Sequence, residues 1–401
     1  MVTLKQPAFN GRWGGEMAAI AASLASGEGF SSPYGGNTGP TAFEPPTYPF
    51  VLSYIFRLFG IYSPASAQVA LVLGSILSAA VCFPLLKLGS RISSREMGVL
   101  ACAFWALWPL AGYTDALFIW NTSLSVLLVT WFLAWLLALE QDSDRSRQSW
   151  LGFGLLTGFL ILSEPSALTI IGVCFLWLFV RLVQRRRSIG ILLAASIVAA
   201  IPPGVWVLRN TLVFHQFVFV RSGLGLQLAV STIEREMDSA APLVSLPNRD
   251  PREFQRYQEL GELAYMDVRK QEAFAWIKAH PHEYARKVAQ RIAGFWTGTK
   301  FIESHYWIYR RFNLLKHVIC TLPCVGAIIG MLVLTQRKQY ALFWLFLAIV
   351  TAYPLVYYFT YVELRYRAPI DPLLLALTAL SCLRLDLFGQ EQAKSAEIDI
   401  G

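Results

Sequence analysis

Glu16 follows a Trp13-Gly14-Gly15 turn and heads a short apolar stretch, Met17 to Leu24. A carboxylate held by a glycine-rich turn is a candidate general base, able to take the proton of a hydroxyl nucleophile. The position equally suits a solvated acid at a helix start, where the macrodipole favours negative charge. Glu28 and Glu44 are its nearest acidic competitors. Far along the chain, Glu363-Leu364-Arg365-Tyr366-Arg367-Ala368-Pro369 places two arginines at one end of the last apolar run. Guanidinium groups pair with phosphate oxygens through parallel hydrogen bonds, so Arg365 and Arg367 form a candidate phosphate clamp, with the Tyr366 hydroxyl or ring beside it. Anchoring in lipid headgroups is the plainer reading of the same residues.

Two further clusters contain polar groups near apolar runs. Asp115 precedes Trp120-Asn121-Thr122-Ser123, where Thr122 or Ser123 fits a helix N-cap. Glu164-Pro165-Ser166 occupies a very short loop, and a carboxylate at that depth usually has a partner or a function. Asp142-Ser143-Asp144 has the DxD form of some metal sites but sits in a Ser/Arg-rich turn, so it reads as a solvated loop. His280 and His282 flank Pro281, and two lone histidines make no metal site. The chain carries no Walker loop, metalloprotease helix or dinucleotide fingerprint, and no motif calls for a metal.

The elements that must position these groups follow from composition. Of 401 residues, 55% are hydrophobic and 15% charged, and the mean hydropathy is +0.47. Soluble chains run at about 45–50% apolar and about 25% charged. The apolar residues fall in runs near the roughly 20 residues that cross a bilayer. This excludes a cytosolic enzyme, a disordered chain and a disulfide scaffold. The expected fold is an all-α polytopic membrane protein. All six cysteines lie inside apolar runs, where a thiol packs as a small hydrophobe. The net charge of +8 comes from short basic clusters between those runs, a topology signal rather than a nucleic-acid surface.

About nine spans are expected, near 65–86, 97–113, 121–139, 149–164, 168–184, 189–208, 315–335, 340–361 and 369–385. Lys87, Arg91 and Arg95, then Arg145 and Arg147, Arg181 and Arg185 to Arg187, and Arg337 with Lys338 mark alternate loops as cytoplasmic. The expected organisation is a 1–64 extracytoplasmic first loop with short surface helices and spans over 65–208. An extracytoplasmic helical domain over 209–314, spans over 315–388 and a 389–401 cytoplasmic tail complete it. Phe50 to Phe59 is apolar but too short to span, and reads as lying along the membrane surface. Two amphipathic helices are expected near 252–279 and 281–297. In the second, Tyr284, Val288, Ile292 and Phe295 form the apolar face and Arg286, Lys287 and Arg291 the opposite one. No internal repeat is visible, which weakens a transporter reading.

The first loop, Glu16-Met17 through Ser23-Leu24-Ala25-Ser26-Gly27-Glu28-Gly29-Phe30-Ser31-Ser32-Pro33, Thr38-Gly39-Pro40-Thr41-Ala42 and Pro45-Pro46-Thr47-Tyr48-Pro49, resembles that of bacterial GT-C membrane glycosyltransferases. That superfamily includes the protein O-mannosyltransferases and lipid A aminoarabinose transferases. Arg365-Tyr366-Arg367-Ala368-Pro369-Ile370, Leu208-Arg209-Asn210 and His280-Pro281 through Phe295-Trp296 are similar to later segments of the same group. The resemblance implies a GT-C-like bundle that transfers a sugar from a polyprenyl-phosphate donor to a hydroxyl of a glycan, lipid or protein acceptor. It places the protein in the bacterial inner membrane, with an extracytoplasmic site in contact with membrane lipids. Glu16 would be catalytic, and Arg365, Tyr366 and Arg367 would hold the donor phosphate. Glu44, Tyr48, Asp115, Asn121 and Glu164 are the secondary candidates for the substrate site. The chain departs from the group in having Gly15-Glu16 where many members carry an acidic pair, and Asn121 where an acid is expected. The group also begins with a membrane helix ahead of this loop, and Met1 to Gly15 is neither a span nor a signal peptide. The expectation is that one helix is missing, through a mis-called start or a true loss. The competing functions are a non-catalytic lipid-linked-sugar binder or transporter and a truncated pseudoenzyme.

Overall fold

The computed structural model describes residues 13–142, 146–234, 246–298 and 307–398, with backbone alone over 307–313 and 385–398. The expected residues Ser143, Asp144 and Arg145 lie outside them. Helix α1 (Glu16–Ala25) starts after Gly14 and Gly15, both at positive φ. A Cβ on Gly14 would meet the Ile119 carbonyl at 2.4 Å, so this close approach requires glycine. α2 (Thr47–Phe59) packs its Tyr48, Leu52, Ile55 and Phe56 face on α1 and Trp13. Its other face, with Phe50, Tyr54, Leu58 and Phe59, is open. That open apolar face suits a helix resting in the membrane interface.

Every segment expected to span is helical. α3 (Pro64–Ala80) and α4 (Cys82–Ile92) run as one span, Pro64–Ile92. α5 (Arg95–Ala106) and α6 (Pro109–Leu117) meet at a 48° bend, where Pro109 lacks the N–H that would continue the helix. α7 (Thr122–Gln141), α8 (Arg147–Ser163), α9 (Leu168–Gln184) and α10 (Gly190–Phe214) follow. α11 (Leu224–Ala229), α12 (Pro251–Leu260), α13 (Glu262–Ala279) and α14 (Pro281–Thr297) belong to the segment after α10, the expected outer domain. α15 (Trp307–Gln336), α16 (Tyr340–Ala352), α17 (Leu355–Phe359) and α18 (Asp371–Ile398) complete the chain.

Among the described residues six helices are long and apolar enough to cross a bilayer, seven if the bent pair counts as one span. That measure leaves out two of the nine expected segments, α8 and α18. α8 has only 17 residues, and the described side chains of α18 sit at the centre of the bundle, with Leu373 through Leu380 largely buried. Lipid-facing surface falls instead to residues such as Leu176, Leu193, Leu212, Leu322 and Trp344, all exposed. The protein is an all-α, multi-pass membrane protein.

α8 and α10 touch backbone to backbone. Cβ atoms on Gly154 and Gly158 would lie 2.3 and 2.7 Å from the Ala195 and Ala199 carbonyls. Small residues four apart allow this approach, which drives helix association in lipid through packing rather than hydrophobicity. At the basic end of the bundle, Glu140 accepts from Arg181 at 2.8 Å and pairs with Arg185 at 2.7 Å, while Asp142, expected in a solvated loop, pairs with Arg91.

α14 keeps part of its expected face, with Phe295 buried, Tyr284 and Val288 half-buried and Arg286 exposed, but two of its cations turn inward and one apolar residue outward. Lys287 and Arg291 are 3% and 1% exposed, whereas Ile292 is 42% exposed. Lys287 donates to the Thr232 carbonyl at 2.6 Å and Arg291 to the Ser231 carbonyl at 2.7 Å. These carbonyls lie in the π-helical stretch Val230–Glu234 that continues α11. Thr122 and Ser123 also fail to cap α7: its N-cap is Asn121, with no side-chain cap, and Ser123 donates to Asp115 instead.

Candidate active site

One cavity of about 420 Å³ opens where the head of α1, the start of α7, the end of α8 and the 364–370 turn converge. It lies at the end of the bundle opposite the Glu140 cluster, since α7 starts beside it and ends at that cluster. Six of the sequence candidates line it: Glu16, Glu44, Asn121, Glu164, Arg365 and Tyr366. They come from positions up to 350 residues apart.

Glu16 occupies the first position of α1. Burial, reinforced by the charge of Glu44, raises its carboxyl to about 7, while its own backbone amide, Arg365 and Arg221 pull the other way. Burial raises Glu44 as well, against the pull of Arg221 and Arg365. Arg365 donates to Glu363 at 2.7 Å and lies 4.1 Å above the Trp120 ring, which is itself stacked on Phe118. A guanidinium held by one carboxylate and one aromatic face has its remaining donors directed by geometry rather than by solvent. Arg221 lines the same cavity, donates to the Phe43 carbonyl at 3.2 Å and approaches Glu44 at 3.5 Å. Two carboxylates whose charged forms burial disfavours therefore face two cations.

The other wall is a chain of hydroxyls. Tyr357 donates to Ser166 at 2.7 Å, Ser166 donates to Glu164, and Ser125 donates to Glu164 at 3.2 Å. Asn121 reaches Ser125 at 3.4 Å and the Ser163 carbonyl at 3.3 Å. The Tyr366 ring stacks on Tyr357 with centroids 4.8 Å apart. Glu44 Oε2 and Ser163 Oγ are buried without a hydrogen-bond partner, and buried polar atoms in that state are uncommon. Both residues line the cavity.

Three candidates stand elsewhere. Arg367 is turned away from the cavity: it pairs with Asp371 at 2.8 Å and donates to the Trp296 and Cys320 carbonyls at 2.8 Å each. Arg367 therefore stands outside the cavity that the expected Arg365–Arg367 pair was to share, and the second guanidinium lining it with Arg365 is that of Arg221. Tyr48 is buried in the α1–α2 packing. Asp115 lies in a smaller space beside α7, which Arg365 also borders, and holds Ser123. Glu28 is exposed beyond the end of α1. Arg221 carries no signal in the sequence, because it is a single arginine in a long connection and nothing in its spacing marks it. Tyr357 and Ser125 read as ordinary span residues for the same lack of pattern. Among the described residues no group of three or more His, Cys, Asp or Glu side chains is placed to hold a metal.

No family model matches the chain, and no curated protein matches it. Among solved structures it is similar to ArnT from Cupriavidus metallidurans in the apo state, with 14% identity, 92% of this chain and 71% of that chain covered, and a TM-score of 0.37. For ArnT from the same organism bound to undecaprenyl phosphate the values are 13%, 92%, 72% and 0.38. A likeness at this level carries no argument about the site.

Proposed function

We propose that this protein is a membrane glycosyltransferase of GT-C type, moving a sugar from a polyprenyl-phosphate donor to a hydroxyl acceptor on the extracytoplasmic face of a bacterial inner membrane. The observation that carries the reading is the sharing of one cavity by Glu16, whose carboxyl lies at about 7, and the Arg221 and Arg365 guanidiniums. The resemblance of the first loop supports the donor class. The basic loops at the far end of the bundle support the side of the membrane.

In this reaction the acceptor oxygen attacks the anomeric carbon as the bond from that carbon to the phosphate oxygen breaks. The bonding pair leaves with the lipid monophosphate, and the hydroxyl proton passes to the Glu16 carboxylate. Single displacement inverts the anomeric centre. A base with a pKa near the working pH combines availability with proton-transfer drive. Arg221 and Arg365 meet the charge that grows on the leaving phosphate, a preorganised stabilisation that is usually a large catalytic contribution. Glu44 adjusts the field at Glu16, and the Asn121–Glu164 wall offers hydrogen bonds to sugar hydroxyls.

The test uses purified protein in liposomes with a panel of undecaprenyl-phosphate hexoses and hydroxyl acceptors. Acceptor-dependent release of undecaprenyl phosphate is expected with at least one pair. Donor binding without release from any pair supports the non-catalytic binder instead.

A further inference from the structure

Glu262 opens α13 in the segment after α10, outside the cavity, and is 6% exposed. Its two oxygens accept four hydrogen bonds. Tyr257 donates at 2.9 Å and Thr41 to the same oxygen, while the Ala42 amide and Ser222 hydroxyl each donate at 2.7 Å to the other. The Phe43 amide donates in turn to the Thr41 hydroxyl at 2.9 Å, and the Ser222 amide donates to the Ala42 carbonyl at 2.8 Å. The residues tied in this way adjoin the cavity: Glu44 follows Phe43, and Arg221 precedes Ser222.

We infer that Glu262 is a positioning residue, a single buried carboxylate that fixes the first loop against that segment and so sets where Glu44 and Arg221 stand. The inference rests on the proposed function for its catalytic consequence. Its geometry stands apart from that function. The bonding pattern suits a carboxylate, whose two oxygens take all four bonds as acceptors, whereas an amide would have to turn the Tyr257 and Thr41 hydroxyls into acceptors. All four partners donate here, and replacing the carboxylate removes the charge that strengthens each of these bonds. The Ala42 amide cannot rotate to become an acceptor. The sequence separations of 220 and 40 residues, from Ala42 and Ser222, mean that no local turn could substitute for this tie. The α13 N-terminus adds a favourable field for the charge.

The experiment compares full-length wild type, Glu262→Gln and, as a milder variant, Ser222→Ala, by amide hydrogen exchange and by transfer. In Glu262→Gln the amides of Ala42, Phe43 and Ser222 are expected to lose protection by at least about tenfold, with α8 and α10 unchanged. Turnover is expected to fall on the order of 10²-fold, since small displacements of a reacting group cost that much. The pH profile of the residual activity should shift, because moving Glu44 and Arg221 changes the charges that tune Glu16. Ser222→Ala should lie between. Unchanged exchange at the three amides in both variants overturns the inference. Loosened amides with wild-type turnover and pH profile overturn it equally. If wild type transfers no sugar, the proposed function fails, and the exchange result alone decides whether Glu262 positions the loop.

Discussion

Arg365 and Arg367 look alike in the sequence and differ completely in the structure. They lie two apart in a 3-10 turn, where three residues complete a rotation, so their side chains point about 120° apart. One faces the cavity and the other closes a buried ion pair with Asp371. Arg365→Lys is expected to lose at least about tenfold in kcat/KM, because an ammonium cannot keep both the Glu363 bond and the flat stack on Trp120. Steady-state kinetics check this. Arg367→Lys should instead lower the unfolding temperature, since it leaves the Trp296 and Cys320 carbonyls short of a donor. The raised Glu16 carboxyl has a stability consequence too. Its folded value of about 7 exceeds the ordinary 4.5, so its contribution is complete below about 4.5 and is lost as pH rises through about 7. Glu16→Gln is therefore expected to raise the unfolding temperature at pH 8 and leave it nearly unchanged at pH 4, measured by thermal melts in detergent.

The helices were legible because roughly 20 apolar residues leave few alternatives in a membrane, and the glycine and proline punctuation marked the irregular backbone between α1 and α2. The polar face of α14 was misread for a physical reason. Periodicity turns Tyr284, Val288 and Phe295 inward but does not show that cations beside them find buried acceptors, and here Lys287 and Arg291 go inward to the Thr232 and Ser231 carbonyls. Arg221 was illegible because it is a lone charge in a long loop, and its place depends on contacts with Phe43 and Glu44 that no local pattern encodes. The α8–α10 seam was equally hidden, although it holds the end of α8 that presents Glu164. Gly158→Leu is expected to force these helices apart, at a cost of about 1–3 kcal/mol or more, read as a lower midpoint of unfolding.

The molecule as a whole separates its charges by end. Basic residues gather around Glu140 and Asp142 at one end, and the cavity with its carboxylates and two arginines lies at the other. In a cysteine-free background, Ser26→Cys is expected to react with a membrane-impermeant maleimide from outside intact cells, and Ser188→Cys only after permeabilisation. The reverse pattern would invert the topology. The account depends most on Glu16 as the proton acceptor. The decisive measurement is sugar transfer by wild type and Glu16→Gln in identical liposomes, from about pH 5 to about pH 9. The expected result is a wild-type rate that climbs through about 7 and levels off, with the Gln variant at least about 10²-fold slower throughout. A variant that transfers at near wild-type rate, or a wild-type rate indifferent to pH across that range, would contradict it.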